Sequence, residues 1–582
     1  MTKYFAALVM FLVAWPSFAA DSNGYSAKYE VRAGNTTDSA TNFDLVTGVA
    51  QACDQTITTT TSPTGNWSAI NWSNTVICIQ VGDHTGRGSF SIDGAGTSGT
   101  RKIIKGVKTD GTLADKPWSV SSANRVKIRK LNCTGQDYIV TTRLWVTTTS
   151  SDNPKVQWSG CDFMVNHELL IDPELDASPD GSPSLVRIRG NLGDDSDFLT
   201  LQNSVIRNSG KKAGSDLHCI NLGSVDVRIV NNEIYNCGGD GIVADNGSNP
   251  HRAVIENNDI YQTSTYLIGC DGSPGTTCNC GEDGIDIKDN SISSSDLVRI
   301  IHNRISGWRT TYNACGGSNS GGYGINTGGT AETYYLIAQN NIIWSTAHGI
   351  NFNSSGRDEQ DSVIGNILYD ITHQNAPSTI CPGASSDMCS GKSYALIPYS
   401  GNSNEWYLNT VIASEIGMWW SGGSNNDVRC NVFIDVPDTR SGTPGSGTIV
   451  NRNVFYGGET YTVGESPSNN SVSILTRANS TTYNLGTVVR TASLNGFLYK
   501  ATNTGTSGSS SPTWCTALGC TVEDNGVTWQ AIRGPYSFYQ KLKTSPVQYT
   551  IPYARVHSSA PEFAFCPSGY ASRTGIGIDN QN

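Results

Sequence analysis

One short motif recurs along this chain and limits its fold more than any other feature. An asparagine, one residue of any kind, and then two or three apolar or β-forming residues begin at Asn203, Asn232, Asn258, Asn303, Asn341, Asn366, Asn431 and Asn453. Where little sequence intervenes, the copies lie 22 to 29 residues apart. A repeat of that period marks a solenoid, and β-rich stretches make it a solenoid of strands. The asparagine fits an internal ladder, because its amide can bond the coils above and below while the residue tolerates a left-handed turn.

A second strand follows each asparagine strand, beginning at Cys219, Gly241, Gly284, Gly324, Gly349, Ala395 and Gly417. Stacked coils align side chains in columns. Ile242, Ile285, Ile325, Ile350 and Leu396 are predicted to point inward. Val243, Asp286, Asn326, Asn351, Ile397 and Trp419 are predicted to point outward. The insertions 266–281, 309–322 and 372–393 all fall between the two strands, so they emerge on one edge and wall a groove over the outward column. Loops of this length are usually functional. Val76–Val81 and Lys102–Val107 read as early coils, with an N-terminal cap in the first 70 residues.

Composition agrees. The 62 glycines and only 15% charged residues suit many short strands joined by tight turns. Lys3, the apolar run Phe5 to Trp15 and the small-residue site Ser17-Phe18-Ala19 read as a secretory signal over residues 1–19. That run is too short to span a bilayer, and no later stretch is apolar enough, so the mature protein is expected to be secreted, off the membrane and monomeric. The formal charge of −11 leaves no basic surplus for a nucleic acid. It permits an acidic polysaccharide if calcium bridges the two. Among the 16 cysteines, Cys270, Cys278 and Cys280, Cys381 with Cys389, and Cys515 with Cys520 read as loop staples. A zinc site at Cys278 and Cys280 lacks a matching second pair.

The periodicity stops after Tyr456. Residues 20–470 form the solenoid with its cap, 476–533 a second unit, and 534–582 a tail. The second unit, with Tyr483, the turn Thr506-Ser507-Gly508, Pro512-Thr513-Trp514 and Val527-Thr528-Trp529, resembles small carbohydrate-binding modules of the chitin-binding type. Exposed aromatics there would stack on sugar rings, or else Trp514 and Trp529 form its small core.

The densest charged motif is Gly281–Lys288. Asp286 and Lys288 lie two apart and share a strand face, while Glu282 and Asp283 sit at the turn entering that strand. Asp240 occupies the column of Asp283 one coil earlier. Coils are about 4.8 Å apart, so four carboxylates converge. A bound Ca²⁺, Lys288 as counter-ion, or a raised carboxylate pKa would each relieve the repulsion.

This pattern resembles the pectate-lyase-like superfamily of right-handed parallel β-helices, and polysaccharide lyase family 9 within it. The resemblance implies an all-β parallel β-helix, a Ca²⁺ held by Asp240, Glu282, Asp283 and Asp286, and β-elimination on a uronate polymer. Glu282 stands where that family has Asp, and Asn326 stands where it has a lysine base. An amide cannot abstract a proton, so Lys288 or a loop residue takes that role. Lys288 and Arg309 resemble the basic pair of a chondroitinase- and alginate-lyase-like β-helix family. Tyr323 and His348 border the groove as candidate proton donors. Asn326, Asn351, Tyr399 and Trp419, with Trp406, are candidate sugar contacts. Two other readings stay open. Gly281–Lys288 and Ala347–Ile350 also resemble polygalacturonase motifs, which implies a hydrolase, and a C5-epimerase is related to it. The third is a non-catalytic adhesin or sugar binder in which calcium staples two coils.

Overall fold

The chain is described by a computed structural model over residues 50–60, 67–147, 155–173, 184–189, 198–209, 217–224, 226–244, 252–263, 282–288, 298–308, 321–329, 336–354, 361–372, 393–398, 402–429 and most of 431–456, 472–492 and 495–533. Outside the described residues lie the signal-like segment, Cys270, Cys278, Cys280, Arg309, Cys381, Cys389, Tyr399 and the tail.

Three ladders of short parallel strands run the length of a right-handed β-helix. The first has fourteen strands, from Gln55–Ile57 to Ile449–Asn451. The second carries the asparagine-led strands, such as Glu233–Tyr235, Asp259–Tyr261 and Arg304–Ser306. The third carries Ile242–Ala244, Ile285–Ile287, Tyr323–Gly329, His348–Ser354 and Tyr394–Pro398. Near the N-terminus one long strand, Val126–Thr134, serves both later ladders, pairing with Trp145–Thr147 and then Val156–Ser159. It bends at Lys130, whose φ is +38°.

The register matches the columns expected from the sequence. Ile242, Ile285, Ile325, Ile350 and Leu396 are stacked partners with no exposed surface. Val243, Asp286, Asn326, Asn351 and Ile397 form the next column, facing away from that core. That outward column is nonetheless buried. Each inward isoleucine fully removed from water contributes about 1.5–3 kcal/mol, so the column is a main source of stability.

The bend between the first two ladders is held by amides. Asn232, Asn258, Asn303, Asn341, Asn366, Asn409, Asn431 and Asn453 form one buried chain. From Asn258 onward each Oδ1 accepts both the backbone N–H and the Nδ2 of the preceding asparagine, at 3.1 Å or less. Each Nδ2 also donates to a first-ladder carbonyl, as Asn303 does to Ile255 at 2.9 Å. Two corrections follow. At the first repeat the ladder position belongs to Ser204, whose N–H donates to Asn232 Oδ1, and not to Asn203. The left-handed residue is also not the ladder asparagine but the one before it, as at Asn203, Asn231, Asn257, His302, Asn340 and Leu408.

Among the described residues four disulfides join Cys53 to Cys78, Cys133 to Cys161, Cys219 to Cys237 and Cys515 to Cys520. They fit an extracellular, oxidising setting. No helix among the described residues is long and apolar enough to cross a membrane. The second unit has sheets of its own, all antiparallel: Val488–Arg490, Phe497–Ala501, Val527–Arg533 and Thr521–Asp524 in one, Thr482–Tyr483 with Gly505–Thr506 in the other. Trp529 is fully buried in its core with Tyr483 and Tyr499, and Trp514 packs partly buried against Tyr499.

Candidate metal centre on the third ladder

A glycine column decides which side chains reach the outer face of the third ladder. A Cβ on Gly284 would lie 2.4 Å from the Ile305 side chain and 2.6 Å from the Gly324 carbonyl. One on Gly349 would lie 2.1 Å from the Ala395 carbonyl. Only glycine lets successive coils close up here. The residue before each glycine therefore joins a second outward column: Asp240, Asp283, Tyr323 and His348, with His218 one coil earlier.

These columns bring the carboxylates together. Asp240, Asp283 and Asp286 each present an oxygen within 4.8 Å of the others, and none has exposed surface. Their donors are unequally shared. Asp283 Oδ1 accepts the Tyr323 N–H at 2.8 Å and its Oδ2 accepts Asn326 Nδ2 at 3.1 Å. Asp240 Oδ1 accepts the Asp283 N–H at 2.8 Å, and its Oδ2 lies 3.0 Å from His218 Nδ1. That same Nδ1 lies 3.0 Å from the Asp240 backbone nitrogen. Asp286 Oδ1 receives no hydrogen bond among the described residues.

Lys288 stands beside the trio, its Nζ 2.9 Å from Asp286 Oδ2 and 3.7 Å from Glu282 Oε1. Burial pushes the Asp286 carboxyl up to about 7 against the pull of Lys288, with Asp240 adding to the rise. Burial and then Asp286, Asp240 and Glu282 push Asp283 up as well. Burial works against the charge on Lys288, yet Asp240, Asp286 and Glu282 outweigh it and hold the ammonium above its usual range.

The cluster fits a divalent cation. Oxygens bound to one Ca²⁺ at about 2.4 Å lie no more than about 4.8 Å apart. Three buried carboxylates that meet this limit, one with an oxygen lacking any donor, are a hard, oxygen-only ligand set. Asp240, Asp283 and Asp286 would hold the ion, with Glu282 at the rim.

Beyond the carboxylates the second column turns aromatic. His348 lies between Tyr323 and Tyr394, with ring centroids at 4.8 and 5.5 Å, and Tyr394 stacks on Trp419 at 5.0 Å. His348 Nδ1 accepts the Tyr394 N–H at 3.4 Å. In the neighbouring column Asn351 Nδ2 donates to Asn326 Oδ1 at 2.8 Å, so an amide relay ends on Asp283. Asn351 Oδ1 is buried and accepts no hydrogen bond among the described residues.

Lys288, Tyr323, Asn326, His348, Asn351 and Trp419 thus share one face with the trio. Trp406 does not. It is the central residue of the first-ladder strand Glu405–Tyr407, fully buried against Phe352. Its place at the middle of a three-residue strand points it inward, so it cannot touch a sugar. His218 and Tyr394 belong to the same face and were not among the residues singled out from the sequence. The alignment of Cys219 with Gly241 carried the signal for His218, because it sets His218 beside Asp240.

No family model matches the chain, and no curated protein matches it. Solved structures do. A mannuronic acid-specific family 6 polysaccharide lyase from human gut microbiota is 12% identical over 70% of this chain and 82% of its own, at a TM-score of 0.42. A pectate lyase is 11% identical over 70% of this chain and 80% of its own, at 0.30. A surface adhesin of Streptococcus pneumoniae is 10% identical over 80% of this chain and 92% of its own, also at 0.30.

Proposed function

We propose that this chain is a secreted, calcium-dependent polysaccharide lyase that cleaves a uronic-acid-containing polysaccharide by β-elimination. The observation that carries the reading is the buried trio Asp240, Asp283 and Asp286, drawn from two coils, with its oxygens within 4.8 Å of one another. When bound there, Ca²⁺ supplies positive charge to offset the charge that develops on a uronate carboxyl as its α-proton leaves.

The remaining roles follow from what each residue can do. Asp240, Asp286 and Glu282 hold Lys288 protonated while they carry their full charge; once a bound cation offsets that charge, the Lys288 Nζ is the group that takes the α-proton. Asn326 is fixed between Asp283 and Asn351 and orients the sugar. Asn351 Oδ1 accepts a sugar hydroxyl. Arg309, the other basic residue that the sequence assigns to this groove, stays protonated and pairs with the uronate carboxylate. The Tyr323 hydroxyl returns one to the leaving oxygen, and His348 keeps the Tyr323 ring in place by stacking on it. Trp419 and Tyr399 contact sugar rings further along the groove.

One observation favours the non-catalytic reading: the trio has no exposed surface, as a cation that only staples two coils requires. Hydrolysis is less well supported. An inverting hydrolase needs carboxyl groups about 6.5–9.5 Å apart, wider than this cluster. A panel of uronate polymers separates the three. A lyase yields an unsaturated product with ultraviolet absorbance that EDTA abolishes. A hydrolase yields reducing ends without that absorbance, and a binder yields neither. No absorbance on any uronate polymer with calcium present rejects the lyase.

A further inference from the structure

The outer face of the second ladder, away from the carboxylates, carries an aromatic column with one interruption. Tyr235, Tyr261, Ser306, Trp344 and Tyr369 are partners in successive coils. Their neighbours Ile234, Ile260, Ile305, Ile343 and Leu368 fill the core, so this column points outward. Tyr235 stacks on Tyr261 at 4.9 Å and 5°, and Trp344 stacks on Tyr369 at 5.7 Å and 1°. Between the two stacks only Ser306 intervenes.

The Tyr261 and Trp344 rings therefore face each other across two coil steps, roughly 9.5 Å. Carbon atoms in contact with an aromatic face sit about 3.5–4.0 Å from it, so two such contacts use about 7–8 Å. The remainder, about 1.5–2.5 Å, leaves room for a puckered pyranose ring and its axial groups between the two faces. Both rings are half-buried, and Ser306 sets a hydroxyl at the floor.

Charge narrows the occupant. Arg304, on the coil of Ser306, is paired with Asp259, on the coil of Tyr261. Glu233, bonded to the Tyr261 hydroxyl, and Asp370, bonded to Ser345, add negative charge around the column. An anionic ring would meet both. We infer that the slot between Tyr261 and Trp344 over Ser306 binds a pyranose ring of a neutral sugar. This is a second carbohydrate site on a different ladder from the metal centre. It needs no cation, so its failure is separable from that of the lyase reading.

The test is calorimetric titration of the full chain, in EDTA, with neutral gluco-, manno- and N-acetylchito-oligosaccharides and with oligogalacturonate. A neutral oligosaccharide should bind. Ser306→Phe, which fills the gap with a ring that continues the column, should abolish that binding with the thermal midpoint unchanged. Trp344→Ala should weaken it about tenfold, the size of one lost ring contact. The inference is overturned if no neutral sugar binds, or if both variants bind as the parent does, which would place the affinity in the antiparallel unit. It is also overturned if oligogalacturonate alone binds.

Discussion

Two buried polar columns run side by side up this β-helix, and they differ in one respect. In the asparagine chain every amide brings donors and acceptors together, so each coil satisfies the next and the column closes on itself. Where Asp240 and Asp283 of the carboxylate column meet Asp286 of the column beside it, the groups bring acceptors only, and one oxygen of Asp286 meets no donor among the described residues. Both columns are equally buried. A solenoid therefore stacks polar groups for stability where the chemistry is complementary, and for a ligand where it is not. The cost of an unmade bond in the interior, about 1–3 kcal/mol for a neutral group and more for a charged one, makes the second kind of column conspicuous.

The largest expected effect comes from giving the first column the chemistry of the second. Asn303→Asp replaces the Nδ2 that reaches Asn341 and the Ile255 carbonyl with a charged acceptor. Denaturant unfolding should show a loss of roughly 3–5 kcal/mol. A loss below about 1 kcal/mol would mean that the amide chain is not what holds the bend.

The second experiment acts on the carboxylates. If the trio holds the cation that lyase activity needs, Asp283→Ala should lower product formation by a factor of about 10²–10³, the usual size of a lost electrostatic contact at the reacting centre. Added calcium should not restore it. Activity within a few-fold of the parent would move the metal, or the chemistry, elsewhere.

The third reverses the first. Asp240→Asn keeps the Oδ1 that accepts the Asp283 N–H and removes one of the crowded charges. In EDTA this variant should be more stable than the parent by roughly 1–2 kcal/mol, because an unpaired buried charge costs more than an amide. Calcium should raise the melting temperature of the parent and leave the variant unmoved. Equal calcium shifts in both would show that the ion binds away from Asp240.

Much of this was legible from residue order. The apolar pattern placed Ile242 over Ile285 over Ile325 and, with them, Asp240 near Asp283. What failed did so for identifiable reasons. At Asn231–Asn232 and Asn340–Asn341 two asparagines stand together, one in the left-handed bend and one in the ladder, and composition cannot tell which is which. At Asn203 the single asparagine stands in the bend, and Ser204 takes the ladder position. Trp406 read as a sugar contact because aromatics suit sugars, but its position at the centre of a short strand turns it inward. The counter-ion role of Lys288, by contrast, was among the readings open in the sequence, because the two-residue spacing sets it beside Asp286.

A buried carboxylate outside the trio gives the smallest and most general check. Glu168 is the case opposite to Asp286. Burial pushes its carboxyl up, but His167, Arg143 and Lys116 outweigh it and hold it at about 2. Lys116 lies 3.2 Å from Oε1 and His167 3.4 Å from Oε2, with Arg143 paired on the same oxygen. A carboxyl depressed by folding stabilises the protein above its unfolded pKa, near 4.5, and that stabilisation fades as pH falls from there toward 2. The parent should thus lose stability across this acid window more steeply than Glu168→Gln, with the two curves converging at its lower end. The check is a set of denaturant midpoints at several pH values. If the two proteins keep the same spacing from pH 5 down to about 2, the cations around Glu168 are not compensating its charge. Burial alone would then fail to separate a satisfied carboxylate from a waiting one, and donor geometry would lose its standing as the criterion that singles out Asp286.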